Sequence, residues 1–198
     1  PDGRTVPSVT TILSATKDMT HLHAWRKRIG EEKAQQITTE SANIGTVMHR
    51  SLEKHVKGED RTPGSNLIQQ KAHGMANVII DNGLNDVTEV WGSEVSLHYP
   101  ELYAGTTDLV GVYKGEPAIM DFKQARRLKK KEWVEDYYLQ LVAYAEAHNK
   151  QYDTQIRNGR IFICTQANEY QTFEIDNYDH WVAKWYGKLE EYYKKVLD

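Results

Sequence analysis

The sequence predicts a mixed α/β domain in which a central β-sheet is flanked by helices and preceded by a helical N-terminal segment. Five stretches rich in β-branched and apolar residues alternate with segments of helical hydrophobic spacing, which is typical of a layered α/β fold. No glycine-rich phosphate-binding loop is present, so the pattern does not indicate a Rossmann or P-loop unit. For 198 residues we expect one domain, with an N-terminal segment and helix over 1–40 and the core over 41–198.

The composition is that of an ordinary globular domain, with 39% hydrophobic and 27% charged residues. The one cysteine, Cys164, excludes an internal disulfide and any four-cysteine zinc or iron–sulfur site. No apolar run is long enough to span a membrane and no signal peptide is visible, so we expect an intracellular protein without a membrane partner. The net charge of -3 means that any nucleic acid would have to contact local basic patches.

The N-terminal part predicts a helix over residues 21–34, after a short extended or capping segment over residues 7–13. Trp25 in this helix is followed by three basic residues, Arg26, Lys27 and Arg28. A solvated basic helix with one aromatic contact is the simpler interpretation of these charges. These charges would contact a nucleic acid only if the helix borders the phosphates of its backbone.

A second helix is predicted to begin near Thr46, because glycine followed by threonine suits a helix start. The i, i+4 spacing places His49 and Glu53 on one face of it, one turn apart. Such a pair could supply an imidazole to a metal and a carboxylate to orient that imidazole or to bind a second cation. A partly buried histidine bonded to its helical neighbour is the simpler alternative for this helix alone.

Residues 67–82 have the apolar spacing of a further helix, which Asn82 and Gly83 end. Residues 87–99 then have the pattern of a strand, with an irregularity at Gly92. Glu94 in this strand is a candidate site carboxylate, although an exposed strand glutamate is the simpler expectation.

The next stretch predicts a β-hairpin that brings acidic residues and a lysine together. Its strands cover residues 102–113 and 117–122, joined by a turn at Lys114-Gly115-Glu116. Asp108 lies in the first strand, and Asp121 and Lys123 end the second. Because strand side chains alternate, Asp121 and Lys123 point to one face and the residue between them points to the other.

Carboxylates at a buried strand end require compensation, because burying a charge alone costs several kcal/mol. Asp108 and Asp121 together therefore suggest a hard divalent cation with oxygen ligands. Lys123 could then hold a water or offset negative charge on a phosphate. A surface ion pair between Lys123 and these acids is the simpler alternative for so short a motif.

A basic run follows the hairpin, with six positive charges in nine residues beginning at Lys123. Such a run is usually a solvated loop, but here it would lie at the mouth of the site, where it could neutralise phosphates. Residues 133–149 then predict an amphipathic helix on which Gln140 and Tyr144 share a face. Strands over 160–166 and 170–175 and a helix over 178–196 complete the chain.

Four of these pieces, in this order, resemble the RecB-type branch of the PD-(D/E)XK nucleases: GTVMH with Glu53, GTTD, DFK and QLVAY. The opening VPSVTTIL and the later WRKRIGEE are similar to the N-terminal part of the mitochondrial genome maintenance exonucleases and their phage relatives. The resemblance implies the restriction-endonuclease-like fold of PD-(D/E)XK nucleases, with a mixed sheet between helices and a helical N-terminal elaboration.

The resemblance further implies hydrolysis of DNA with one or two Mg²⁺ or Mn²⁺ ions. By position, Asp108 and Asp121 match the two strand acids, Lys123 the catalytic lysine and His49 the helical metal ligand. The main-chain carbonyl of Phe122 would be another ligand, and Glu53 and Glu94 would complete a second metal's shell. Gln140 and Tyr144 match the helix motif that lines the site. With the lone Cys164, the chain resembles the members without an iron–sulfur cluster.

The expected substrate is single-stranded DNA, degraded from its ends in replication, repair or recombination, with replication or recombination proteins as possible partners. Basic segments next to tryptophans suit a groove that tracks a backbone and stacks bases, with residues 1–40 bordering it. The predicted DNA contacts are Trp25, Arg26, Arg28, Thr46, Gln124, Arg126, Arg127, Lys129, Lys130, Lys131 and Trp133. A structure-selective or site-specific endonuclease and an inactive DNA-binding module are the alternatives. A bacterial or phage cytoplasmic location is favoured over the mitochondrial matrix.

Overall fold

The computed structural model describes residues 5–197 and contains one five-stranded mixed sheet, as predicted. The strands lie in the order of the chain, and all neighbours pair antiparallel except the third and fourth, which are parallel. They are β1 Val87–Tyr99, β2 Tyr103–Tyr113, β3 Glu116–Ala125, β4 Asn158–Thr165 and β5 Tyr170–Glu174. The parallel pair requires a crossover connection, which a helix supplies.

Helices cover both faces of this sheet. They are α1 Val9–Ala15, α2 Thr20–Ile29, α3 Glu31–Val56, α4 Leu67–Asn82, α5 Glu135–Tyr152 and α6 Tyr178–Leu197. One hydrophobic core joins α3 and α4 to one face of the sheet, and a second core joins α1, α5 and α6 to the other. Within residues 5–197, no helix combines the length and the apolarity needed to cross a bilayer.

The hairpin of β2 and β3 forms as the sequence predicts. Its two central turn residues, Lys114 and Gly115, have positive φ angles of 49° and 84°, so they form the tight turn whose twist matches the flanking strands. Alternation along β3 buries Phe122 in the core under α3 and α4, while Lys123 hydrogen-bonds to α5. The hairpin thus places Asp108, Asp121 and Lys123 at the end of the paired part of β2 and β3 that lies away from the turn.

Three expectations for the N-terminal half are wrong. The helix predicted to begin near Thr46 is the second half of α3, a continuous helix of 26 residues. The helix predicted over 21–34 is interrupted at Gly30, whose φ of 89° ends α2 and starts α3. The predicted capping segment over 7–13 largely forms α1, with the Ser8 side chain accepting a hydrogen bond from the Thr11 N–H.

Gly45 and Thr46, which suggested a helix start, fit inside α3 because of their local contacts. The Thr46 hydroxyl donates to the carbonyl of Ala42 one turn earlier, so it has a partner within the helix. At Gly45, a Cβ atom would lie 3.5 Å from the side chain of Gln124, so α3 runs close to the end of β3 here. This close approach places the following turn of α3, with His49, over the site.

Candidate active site

Asp108 lies where β2 and β3 separate. The ladder between these strands ends at the pair Leu109 and Met120, so Asp108, which comes just before Leu109 in β2, has no strand partner on β3. The Asp108 carboxylate occupies this gap: Oδ2 accepts a hydrogen bond of 2.7 Å from the Phe122 N–H. Its side chain is buried, with 8% of the residue exposed. The strand divergence therefore fixes the first acid of the site.

Lys123 connects the second acid to α5. Its Nζ lies 2.6 Å from Asp121 Oδ2 and donates a hydrogen bond of 2.8 Å to Gln140 Oε1. The ammonium also lies 5.1 Å from the centre of the Tyr137 ring, in cation–π geometry. These three contacts hold the lysine in one position beside the carboxylates.

His49 reaches the same site from α3. Its Nδ1 lies 3.1 Å from Asp108 Oδ1, and its ring packs edge-on against Phe122. If Nδ1 carries the proton, it donates to Asp108 and leaves Nε2 free as a ligand, an arrangement common in metal-binding histidines. Glu53, one turn further along α3, accepts a hydrogen bond from Lys57 and borders the same cleft.

Glu94 contributes a further carboxylate from β1. Its neighbours Ser93 and Val95 pair with Leu109 and Thr107, so Glu94 lies across from Asp108. Its φ angle is 51°, in the left-handed region that costs a non-glycine residue roughly 1–2 kcal/mol. One ligand atom each of Glu94, Asp108 and His49 lies within 4.8 Å of the others. The strained backbone thus directs a carboxylate to this group.

The charges of the site depend on one another. Burial raises the pKa of Asp121 to about 7, with Asp108 adding to the rise and Lys123 opposing it. Burial also acts to raise the pKa of Asp108, but hydrogen bonds from His49 and from the Phe122 N–H outweigh it and lower that pKa. Burial acts to lower the pKa of Lys123 and of His49, and the neighbouring carboxylates reverse both effects.

The group of His49, Glu94 and Asp108 opens with Lys123 onto a cleft of about 620 Å³, whereas Asp121 is buried behind Lys123 and is not part of the described lining. It is lined by Ser41, Ala42, Gly45, Thr46, His49, Arg50, Glu53, Glu94, Asp108, Lys123 and Gln124. The donor set of carboxylate oxygens with one imidazole nitrogen fits a hard divalent cation such as Mg²⁺ or Mn²⁺. A cation bound beside Asp121 would favour its ionised form and would therefore oppose the rise in its pKa that burial causes.

The two helix residues expected to line the site both lie on its α5 side. Gln140 is the acceptor for Lys123 described above. Tyr144 is 4% exposed, and a Cβ atom added to Gly105 would lie 2.8 Å from its ring, so the backbone of β2 passes close to this side chain. Burial, together with the charges of Asp121 and Asp108, raises the pKa of the Tyr144 phenol, which therefore stays neutral.

The predicted DNA contacts divide into two groups. Thr46 and Gln124 line the cleft. Of the described residues that line it, none comes from α2, which carries Trp25, Arg26 and Arg28; Arg26 is paired with Glu31 at 2.8 Å.

The basic residues after β3 form a loop at the end of the sheet. Arg127 and Lys130 lie 5.7 and 5.3 Å from the centre of the half-exposed Trp133 ring. Lys129 exchanges two backbone hydrogen bonds with the side chain of Gln171 on β5, and Lys131 is paired with Asp176. Arg126 is exposed in the same loop.

Two residues near the site were not singled out from the sequence. Arg50 lines the cleft next to His49, although nothing in its local sequence distinguishes it from a solvated helix residue. Tyr137 contacts Lys123, although its spacing within the predicted helix over 133–149 is that of a residue facing the core. Its position three residues before Gln140 on α5 is the one signal that could have identified it.

Comparisons with known proteins show what this chain is similar to as a whole. No family model matches the chain. Over 209 residues of alignment, the chain is 28% identical to mitochondrial genome maintenance exonuclease 1 of Xenopus tropicalis and 29% identical to that of Mus musculus. Both alignments cover 96% of this chain but only 58% and 60% of those proteins, so the chain spans about three fifths of their length.

A solved structure gives an independent comparison of the fold. The crystal structure of a candidate exonuclease from Eubacterium rectale superposes with a TM-score of 0.57 over 78% of this chain and 66% of that one, at 13% sequence identity. The likeness shows that the two proteins share a fold. The mixed five-stranded sheet flanked by helices and the resemblance to mitochondrial genome maintenance exonucleases, both inferred from the sequence, are confirmed, the fold over 78% of this chain and the resemblance over 96%.

Proposed function

We propose that this chain is a metal-dependent deoxyribonuclease that hydrolyses phosphodiester bonds. The observation that carries the proposal is the group formed by His49, Glu94 and Asp108, with Lys123 opening onto the same cleft. The similar proteins of Xenopus tropicalis and Mus musculus are named as exonucleases, which supports the same activity.

In this proposal, His49, Asp108 and Asp121 hold Mg²⁺ or Mn²⁺, with the carbonyl of Phe122 and the carboxylate of Glu94 as further ligands. Glu53 borders the cleft and is proposed as a ligand only for a second ion. A bound divalent cation would polarise the scissile phosphate and lower the pKa of a coordinated water. Uncatalysed phosphate-ester hydrolysis is slow enough to require this assistance.

The protein side chains position the reacting groups. The raised pKa of Lys123 keeps its ammonium charged, so it can hold the attacking water and offset negative charge that develops on the phosphate. Gln140 and Tyr137 keep that ammonium in place. Tyr144, whose phenol stays protonated, is proposed as a hydrogen-bond donor to the substrate.

Single-stranded DNA is the proposed substrate, because charge and stacking surfaces continue beyond Lys123. A recess of about 190 Å³, which Lys123 also lines, is bordered by Tyr137 of α5 and by Lys17, which follows α1 and is paired with Asp136. Burial and the nearby charges of Arg127 and Lys17 lower the pKa of Lys129, so these cations lie close to one another. A strand crossing Lys123 would meet this positive group and the Trp133 ring.

Degradation from strand ends can be tested with one DNA molecule in two forms. A circular single strand and the same circle cut once have the same sequence and differ only in having ends. An exonuclease would degrade the cut form and leave the circle intact. Efficient cleavage of the circle would instead support the endonuclease alternative, and tight binding without cleavage of either form in Mn²⁺ would support an inactive binding module.

The compartment and the partners of the protein remain proposals. The relatives are named for the mitochondrial genome, which gives no support to the cytoplasmic location favoured from the sequence. We therefore propose the mitochondrial matrix as the first location to test. Replication or recombination proteins are the proposed class of partner.

A further inference from the structure

A second cavity lies beside the cleft, between α3, α4 and the loop that joins them. It has a volume of about 160 Å³. Its lining carries three cationic side chains and a histidine, Arg50, Lys54, Arg61 and His73. We refer to these four residues as the basic recess. No carboxylate belongs to the described lining, so no acid within the recess offsets the charges of the three cations.

Arg61 is held in a fixed orientation inside the basic recess. Its Nε and one terminal nitrogen each donate to Ser51 Oγ at 3.0 Å, and that terminal nitrogen also donates to Asn77 Oδ1 at 2.8 Å. Both partners are neutral, so they orient the guanidinium without cancelling its charge. Asp81 acts on Arg61 electrostatically but does not line the cavity. An oriented guanidinium of this kind suits an anion with several oxygens.

His73 adds a polar atom without a partner. Its Nδ1 is buried and makes no hydrogen bond among the described residues. Burial and the charge of Arg61 lower the pKa of this imidazole, so it is neutral at neutral pH and can donate one hydrogen bond. A buried polar atom of this kind costs free energy unless a ligand or water satisfies it.

The size and position of the basic recess restrict its ligand. Its volume equals that of about five water molecules, each taking roughly 30 Å³, which is enough for a phosphate group and too small for a whole nucleotide. Arg50 lines both the recess and the cleft with the metal-site residues. A DNA strand in the cleft can therefore place a neighbouring phosphate in the recess by crossing Arg50.

We infer that the basic recess binds a phosphate group of the DNA strand next to the one that is cleaved, with Arg61 and Lys54 as its main contacts. This inference rests on the proposed function, since it takes the cleft to hold DNA. The phosphate is either a terminal phosphomonoester or an internal phosphodiester, because both present oxygens of the same chemistry. Arg50 then links the two sites along the strand.

Binding of single-stranded DNA in EDTA tests the inference without requiring cleavage. The variant is Lys54→Gln with Arg61→Gln, and the control is Lys194→Gln with Lys195→Gln on α6, which removes equal charge far from the recess. Fluorescence anisotropy with a labelled oligonucleotide of ~20 thymidines should show about tenfold weaker binding for the variant. Its slope of log Kd against log salt should also fall by about 0.7, the value for one lost phosphate contact.

Oligonucleotides with and without a terminal phosphate distinguish a strand end from an internal phosphate as the group bound in the recess. If a 5′ or 3′ phosphate strengthens binding to the natural protein and not to the variant, the recess takes a strand end. If end chemistry has no effect and the variant still binds weakly, the recess takes an internal phosphate. Affinity and salt slope equal to those of the control would overturn the inference, even if the protein cleaves DNA.

Folding of the variant needs a separate check, because Arg61 also ties the loop to α3 and α4. Lys54→Gln alone removes a charge from the recess and leaves the three hydrogen bonds of Arg61 in place. It should keep the thermal unfolding temperature of the natural protein and weaken DNA binding about threefold. Unchanged binding by this folded variant would also count against the inference.

Discussion

Replacing Asp121 by Asn should stabilise the metal-free protein at pH 8, although it removes a proposed metal ligand. Burial, with the charge of Asp108 adding to it, raises the pKa of Asp121 from 3.8 to about 7. Between these two values the unfolded chain has released the proton and the folded chain keeps it. Stability therefore falls as pH rises from about 4 to about 7, and stays lower above that.

The size of the effect follows from the difference between the two pKa values. About three pH units at 1.36 kcal/mol each give about 4 kcal/mol as an upper limit, because the metal-free site can admit water. Asparagine has the shape of the protonated acid and avoids this cost. For a domain of this size, half of the limit corresponds to a rise of about 4–8 °C in Tm.

Thermal unfolding in EDTA at pH 5 and pH 8 measures this difference. D121N should unfold above the natural protein at pH 8, and the gap should narrow at pH 5, where the natural Asp121 is protonated. D108N is the matched control, and it should be destabilised at pH 8 because the pKa of Asp108 is lowered in the fold. Equal stability of D121N and the natural protein at pH 8, or a gap that does not depend on pH, would refute the reasoning.

Three further substitutions test other parts of the site. E94G should change Tm by no more than about 2 °C, because relief of the left-handed backbone strain offsets the larger unfolded-state entropy of glycine. The same variant should bind Mn²⁺ at least tenfold more weakly by calorimetry, and unchanged affinity would remove Glu94 from the metal group. G105A should lower the free energy of unfolding in urea by about 1–3 kcal/mol, because its Cβ would meet the Tyr144 ring at 2.8 Å; unaltered stability would mean that the ring has room to move. Y137L should reduce kcat roughly threefold by removing the ring next to Lys123, and Y137F should retain activity; an equal loss in Y137F would assign the effect to the hydroxyl.

Local signals made the hairpin and its acids predictable. The turn at Lys114-Gly115 and the alternation along β3 are properties of neighbouring residues, and together they place Asp121 and Lys123 on one face of the strand end. The same holds for the helix over 67–82 and the strand over 87–99, whose observed bounds equal the predicted ones.

Long-range packing determined what the sequence did not reveal. Gly45 and Thr46 have the local character of a helix start, but the close approach of α3 to Gln124 accommodates them inside the helix. Glu94 is exposed, as expected for a strand glutamate, and the left-handed backbone that places it near Asp108 and His49 has no signal in the local sequence. Arg50 gains its position only from the packing of α3 beside β1 and β3.

Hydrolysis of end-labelled single-stranded DNA by the natural protein and by Lys123→Ala tests the central claim most directly. Each would be assayed in Mg²⁺, in Mn²⁺ and in EDTA, with Lys194→Ala as a control for the loss of one exposed lysine. The account predicts cleavage by the natural protein and the control that requires a divalent cation and falls at least about a hundredfold in Lys123→Ala. Cleavage that persists in EDTA, or full activity of Lys123→Ala, would contradict it.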